Sequence, residues 1–280
     1  YTVHPYRWTP IGSMDDLNAA SLEEFIEFYK TFYVPNNATL SIAGDIDIEQ
    51  TKAMVAKYFQ DIPKGPKPVP RPTVVEPQQT AEVRDVIFDN IQLPAVFQAY
   101  HIPAQGTPDS YALDMLSTLL SGGQSSRMYK ALVDEQKKAL QVASFPFSLE
   151  DPGLYITLGL VNMGVDVADL EKAMDAEVAK VQNELISEKE FQKIRNQMES
   201  QFVQQNASTV GIAEQLANYH VYYKDANLIN TELERYMKVT REDLQRVAKK
   251  YLTKENRVVL HYLPKSAQSK PENTQIKKDN

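Results

Sequence analysis

The chain has 280 residues, of which 42% are hydrophobic and 24% are charged, and its formal net charge is −7. This composition is typical of a soluble globular protein with one large or two ordinary domains. The negative charge argues against a nucleic-acid partner. The apolar runs are shorter than the roughly 20 residues of a membrane span. The absence of cysteine excludes disulfides and thiolate-based sites but leaves the compartment open between bacterial cytoplasm and periplasm.

The first 60 residues predict a turn, a helix, a strand and a second helix. The N-terminal residues 1–6 are not a signal peptide, and we interpret them as the start of a truncated or processed piece. Ser21 and Glu24 predict a capping box at the start of a helix that Pro35-Asn36-Asn37 ends. Alternating apolar and small polar residues predict a half-buried strand over 39–43, after which Asp47 caps the second helix, with Val55, Tyr58 and Phe59 pointing inward.

Six prolines between residues 62 and 77 mark a domain boundary. Such density blocks a helix or a central strand and favours an extended connector. We therefore predict four parts: a first lobe portion over 1–61, a linker over 62–79, a second lobe over 80–264, and a disordered tail over 265–280.

The second lobe is predicted to contain strands followed by long helices. Two strands fall within 80–101, and Asp109 is predicted to cap a helix that carries Leu113, Leu116 and Leu120. The remaining predictions are a hairpin of strands at 140–147 and 154–162, helices at 166–184, 187–205, 209–223 and 240–252, and a last strand at 256–263.

The chain also contains an internal echo. Residues 21–40 align without a gap to residues 240–259, and Glu23/Glu242 and Asn37/Asn256 are among the few identities. Both segments predict a capped helix of about a dozen residues followed by a strand. We favour an internal duplication, with convergence of common helix–turn–strand units as the alternative.

Residues for metal chemistry are scarce. The only histidines are His4, His101, His220 and His261, and no two are three or four positions apart. A helix-borne zinc site needs ligands at i and i+4, and a strand-borne pair needs them at i and i+2. We therefore predict no metal ligand, no catalytic residue and no cofactor in this chain, and we assign no substrate-binding residue. Distant histidines that meet in space are the alternative.

The pair Gly122-Gly123, followed by Ser125-Ser126, matches neither a nucleophile elbow nor a phosphate-binding loop. We predict instead that the glycines end one helix and that a serine caps the next. The acidic residues lie where solvated helix faces place them. From its residues alone, the chain is interpreted as a binding or scaffolding α+β protein.

Several ordered motifs nevertheless resemble the zinc peptidases of the pitrilysin/insulinase (M16-type) family, over about residues 1–263. The motifs in chain order are His4-Pro5-Tyr6 with Ile11-Gly12-Ser13, Tyr33–Leu40, Ala43-Gly44-Asp45, Pro108–Leu113, Leu120–Gly123 and Ser126–Tyr129. Arg7 stands where the family has a glycine. Each motif alone is weak, but their order and spacing make the resemblance strong.

The resemblance implies an α+β fold of the LuxS/MPP-like metallohydrolase type, with an antiparallel or mixed sheet and helices mainly on one face. In this family, two half-units of two lobes each enclose a chamber. Unfolded peptides bind there as an added strand and are cut by a zinc-activated water. The zinc-binding His-x-x-Glu-His helix would precede Tyr1, so no metal ligand or general base carries over. Zinc is expected only in the intact enzyme, and whether this chain is itself an enzyme stays open.

In many partner halves, an Arg and a Tyr seven residues apart hold the scissile carbonyl. The matching positions here are Val133 and Leu140, and neither side chain can donate a hydrogen bond to an oxyanion. This variant resembles the zinc-bearing halves. We therefore predict the C-terminal, chamber-forming portion of such a half. The expected partners are an N-terminal zinc-binding lobe, a second half-unit in cis or as another subunit, and unstructured peptides.

Two alternatives stay open. The first is a non-catalytic scaffold or peptide-binding subunit of the same family, which a degenerate His-x-x-Glu-His motif in the natural upstream sequence would favour. The second is an unrelated α+β interaction domain, which requires the ordered motifs to be coincidence.

Overall fold

The computed structural model describes residues 1–268, which form two compact units. The first unit comprises residues 1–78 and 201–231, and the second comprises residues 79–200 and, among the described residues, 232–268. Most of the predicted tail lies outside the described residues, and its first residues, Lys265–Ala267, form a 3₁₀ turn.

The described helices are α1 (Met14–Ala19), α2 (Leu22–Phe32), α3 (Ile48–Phe59), α4 (Pro108–Ser121), α5 (Val167–Asn183), α6 (Glu188–Gln205), α7 (Thr209–Asn218), α8 (Leu228–Lys238) and α9 (Arg241–Tyr251). The described strands are β1 (Val83–Asp89), β2 (Ala95–His101), β3 (Ala139–Phe147), β4 (Leu154–Val161) and β5 (Arg257–Pro264).

Helices α2 and α3 of the first unit begin at the predicted caps. The Ser21 hydroxyl accepts the Glu24 amide while the Glu24 carboxylate accepts the Ser21 amide, which confirms the capping box of α2. The Asp47 carboxylate accepts the Gln50 amide at 2.8 Å and caps α3, also as predicted. Local sequence therefore determines these helix starts.

The strand predicted over residues 39–43 is wrong. The segment has no ladder partner, and the described strands pair only within the second unit. Leu40 is 60% exposed rather than half-buried. An extended segment becomes a strand only when a neighbour takes up its main-chain hydrogen bonds, and such a neighbour is missing from residues 1–268.

Residues 1–78, the N-terminal part of the first unit, contain no buried apolar side chain. No residue of α1, α2, α3 or α7 is buried. Tyr58 and Phe59, which were predicted to point inward, are 64% and 53% exposed, and Phe25 and Tyr33 are equally open. The amphipathic helices of this unit therefore have largely exposed apolar faces.

The second unit is organised around a five-stranded mixed sheet in the order β1-β5-β2-β4-β3. Strand β1 runs parallel to β5, and the other neighbours are antiparallel. The mixed sheet confirms the expected fold class. Helix α4 contributes the largest share of the core, including the predicted residues Leu113, Leu116 and Leu120, which are fully buried.

Helix boundaries in the second unit bring three corrections. Thr107 rather than Asp109 caps α4, because Pro108 occupies the first helical position and the Thr107 hydroxyl accepts the Ser110 amide. The helix predicted over 209–223 is α7 followed by a π-helical turn at Tyr219–Tyr223. Helix α8 was not predicted.

The internal echo is present in the helices and absent in the strand. Helix α2 and helix α9 have the same length and keep the constant offset of the alignment, and each begins at a capping box. After α9 the chain enters β5, which pairs with β1 and β2 on its two sides. The equivalent segment after α2 has neither neighbour. The internal echo therefore extends to the helix and its cap but not to the sheet.

Candidate functional site

One face of the sheet in the second unit packs against helices. Gly159 lies under α5, where an added Cβ would be 2.9 Å from both Leu170 and Met174. On β3, the main chain of Ser144 is bonded by the Ser121 hydroxyl of α4, which accepts the amide at 2.6 Å and donates to the carbonyl at 3.0 Å. These contacts define the helix-covered face.

The opposite face of the sheet is apolar and only partly covered. Its side chains are half-buried, except for Phe145 and Phe147, which are 42% and 53% exposed. The strand registers place together on this face Phe97, Ala99, Ala143, Phe145, Phe147, Leu154, Ile156, Leu158, Leu160, Val258, Leu260 and Tyr262. We call this set the open sheet face. Its sequence signal is that β4 is apolar at nearly every position rather than at alternate ones.

Strand β3 forms one edge of the sheet, but only part of that edge is available. The main-chain groups of Ser144 point away from β4 and are already bonded to Ser121. Pro146, two residues on, has no amide to offer. Val142 lies two residues before Ser144 on β3, so its amide and carbonyl also point away from β4. The N-terminal part of β3, next to the exposed Leu140, is therefore the part of this edge that can accept an added strand.

A charged network crosses the helix-covered face at the other side of the sheet. The Arg84 guanidinium forms two hydrogen bonds with the Glu171 carboxylate, at 2.8 and 2.6 Å, and His261 Nε2 lies 2.6 Å from the same carboxylate. Arg257 is buried and forms ion pairs with Glu82 and Asp175. Burial opposes ionisation of Glu171, but the hydrogen bonds from Arg84 and His261 hold its pKa below the ordinary value. Every member has an oppositely charged partner, so the network is structural.

The four histidines do not converge. His261 belongs to the charged network, and His4 is buried and accepts the Tyr6 amide on Nδ1. His101 lies on β2, and His220 is exposed in the π-helical turn. Within residues 1–268, no three His, Asp or Glu side chains are arranged to hold a metal ion. The described residues therefore do not fit a zinc site.

Helix α6 fixes the loop that contains the glycine and serine pairs. Glu190 forms two hydrogen bonds with Arg127, both at 3.0 Å, and Lys193 donates to the Ser125 carbonyl. The hydrogen bonds from Arg127 lower the pKa of Glu190 to about 2. Helix α4 ends at the glycine pair as predicted, but Ser126 does not cap the next helix through its side chain, because its buried hydroxyl has no hydrogen-bond partner.

The two positions that match the family's carbonyl-binding pair, Val133 and Leu140, lie in different surroundings. Val133 packs against the core from the π-helical segment Tyr129–Glu135, whereas Leu140 is 46% exposed at the bulge of β3. Their hydrocarbon side chains provide no oxyanion donor.

The first unit has its own apolar depression of about 470 Å³. It is lined by the segment that was predicted to be a strand and by one side of α3, including Leu40, Ile42, Ile48 and Val55. An exposed apolar surface of this kind normally marks a site where a binding partner covers it. None of the helices within residues 1–268 is long and apolar enough to cross a membrane.

Comparison with known proteins identifies a family. The family model described as the peptidase M16 inactive domain matches residues 19–198. The zinc protease PqqE of Helicobacter pylori is 30% identical over 253 residues, which cover 90% of this chain and 57% of that protein. The crystal structure of a protease from Helicobacter pylori superimposes with a TM-score of 0.89 at 28% identity, covering 94% of this chain and 64% of that one.

A second solved structure, the peptidase M16 inactive domain from Pseudomonas fluorescens, has a TM-score of 0.81 at 18% identity, over 94% of this chain and 62% of that one. At this identity the likeness concerns the fold. The chain spans about half the length of the curated relatives it matches.

Proposed function

This chain belongs to the peptidase M16 family, and we propose that it is the C-terminal, chamber-forming portion of a zinc-dependent endopeptidase half. In this arrangement the chain binds unfolded peptide, and an N-terminal lobe portion holds the zinc and the general base. Both a second half-unit and unstructured peptides are its proposed further partners.

The open sheet face is the observation that carries this proposal. An unfolded peptide offers unpaired main-chain groups and alternating side chains, and it binds best where an edge strand and apolar contacts lie together. The free part of the β3 edge and the aromatic side chains Phe145 and Phe147 supply these two elements on one strand. Both act without regard to a precise sequence, which suits a binding surface for varied peptides.

The first unit supports the proposed N-terminal partner. Its helices have exposed apolar faces, and its segment 39–43 lacks the two neighbours that β5, its equivalent in the internal echo, has in the second unit. We infer that the partner supplies strands on both sides of this segment, one parallel and one antiparallel. Burial of this surface would stabilise the assembly by about 25 cal/mol for each Å² of apolar area.

Peptide binding by the chain alone tests the role of the open sheet face. A fluorescein-labelled unstructured peptide is titrated into the wild-type chain and into the double variant Phe145→Glu/Phe147→Glu. We expect Kd to rise at least about tenfold in the double variant, or about 1.4 kcal/mol. Met163→Glu, at a residue that is 81% exposed in the loop after β4, is the matched control and should bind like wild type. Equal weakening by the control would contradict the proposal.

Reconstitution tests the assignment of the metal. The chain is mixed with a first-lobe portion that contains an intact His-x-x-Glu-His motif, and zinc content and cleavage of a quenched peptide are measured. We expect one zinc per complex and cleavage once a second half-unit is added, and neither from the chain alone. Stoichiometric zinc in the isolated chain would refute the assignment, and tight peptide binding without cleavage would instead favour a non-catalytic scaffold.

A further inference from the structure

A cluster of titratable side chains joins α4 to α8, away from the open sheet face. The Tyr236 hydroxyl of α8 donates to Asp114 Oδ2 of α4 at 2.8 Å. The ring of Tyr236 packs edge-on against the ring of Tyr111, with the centroids 4.9 Å apart. This polar contact lies against the core of the second unit, because Tyr111 and the residues on both sides of Asp114 are buried.

The groups that face Asp114 do not compensate its charge. Glu232, one helical turn before Tyr236, opposes its ionisation. The charge of Asp114 also raises the pKa of Tyr155 on β4, whose hydroxyl is hydrogen-bonded to Ser144. The nearest cation of the cluster, Arg235, is directed to the Tyr111 hydroxyl at 3.2 Å. The neutral Tyr236 hydroxyl therefore donates to the largely buried Asp114 carboxyl, which also faces the Glu232 carboxylate.

These surroundings favour the protonated carboxyl. Burial and the Glu232 charge raise the pKa of Asp114 to about 6, and the hydrogen bond from Tyr236 only partly opposes this. When the pH exceeds that value, the site must hold an ionised carboxylate whose hydrogen-bond donor is the neutral Tyr236 hydroxyl, which is costly in an apolar environment.

We propose that Asp114 and Tyr236 form a pH-sensitive latch, which holds the C-terminal half of α8 on α4 while Asp114 is protonated and loosens it when Asp114 is ionised. This inference is independent of the proposed peptidase function. The folded site binds its proton more tightly than the opened site does. The stability of the latch is therefore greatest below the ordinary pKa of about 4 and falls as the pH rises towards 6.

Hydrogen exchange of the full chain tests the latch. Protection of the α8 amides at 233–238 is measured between pH 4 and 7.5 and corrected for the intrinsic rate. A carboxyl whose pKa rises from 3.8 to about 6 gives a loss of protection of about 100-fold across this range. Amides of α5 serve as the internal reference and should not follow the same midpoint.

Four variants separate the latch from a general effect of pH. Asp114→Asn should remove the pH dependence. Glu232→Gln should lower its midpoint by removing the repulsion, and Tyr236→Phe should raise it by removing the hydroxyl that donates to Asp114. Glu234→Gln, an exposed neighbour on α8, is the control and should leave the midpoint unchanged. Flat protection in the wild type, or an unchanged midpoint in both Glu232→Gln and Tyr236→Phe, would overturn the latch even if Asp114→Asn does not fold.

Discussion

Glu171 is the side chain whose removal should most clearly affect the second unit. The substitution Glu171→Gln keeps the size of the side chain and removes the charge that Arg84, Arg257 and His261 share. Two of these partners lose a hydrogen bond of 2.6 Å to the carboxylate, and Arg257 loses an ion-pair contact of 3.6 Å. The network would then keep only Glu82 and Asp175 as carboxylate partners of its two guanidinium groups.

The size of the effect follows from the exposure of each partner. Removal of one member of a fully buried ion pair costs about 3–5 kcal/mol. The Arg257 side chain is only 5% exposed and cannot be rehydrated in place, whereas Arg84 is 44% exposed and can turn to water. We therefore expect Glu171→Gln to lower the free energy of unfolding of the second unit by about 2–3 kcal/mol.

The measurement needs a signal from the second unit. The single tryptophan, Trp8, lies in the first unit, so urea unfolding is followed by far-UV circular dichroism or by exchange of the β4 and α5 amides. The pKa of Glu171 is held below its ordinary value, so its contribution is complete above pH 4.5 and is lost as the pH falls through the folded-state pKa. The difference between wild type and variant should shrink accordingly. A loss below about 0.5 kcal/mol at pH 7, or one that grows in acid, would refute this account.

Three further predictions concern packing, capping and the bare surface of the first unit. Gly159→Ala should lower the urea midpoint of the second unit by the equivalent of about 1–2 kcal/mol, because its methyl group would lie 2.9 Å from two side chains of α5. Ser21→Ala and Thr240→Ala remove matching capping boxes, and each should cost about 1 kcal/mol, measured as exchange of the α2 and α9 amides respectively. The isolated chain should bind the dye ANS through the exposed aromatic side chains of the first unit, and addition of the first-lobe portion should reduce that signal; an unchanged signal in the complex would contradict the proposed partner surface.

Sequence reasoning worked where the structural signal is local. The capping box predicted at Ser21 lies at the start of α2, the capped helix predicted from residue 240 is α9, and the predicted hairpin corresponds to β3 and β4 within one residue at each end. A cap depends on four consecutive residues and a hairpin on two adjacent strands, so few distant contacts are needed to form them.

Sequence reasoning failed where a segment far away in the chain decides whether an element forms. Segments 39–43 and 258–262 have the same place in the internal echo, yet only the second is a strand, because β1 and β2 are beside it. Helix α8 was not predicted, and its hydrogen bond from Tyr236 to Asp114 of α4 joins residues that are 122 positions apart in the chain.

The amino-acid order by itself determined the family motifs, the helix caps and the lack of histidines spaced for a common metal. The tertiary structure decided which face of the sheet stays open, which part of the β3 edge Ser121 occupies, and that Asp114 faces Glu232. The physical reason is that periodicity fixes which residues share a face, whereas exposure and proton affinity depend on what the rest of the chain places against that face.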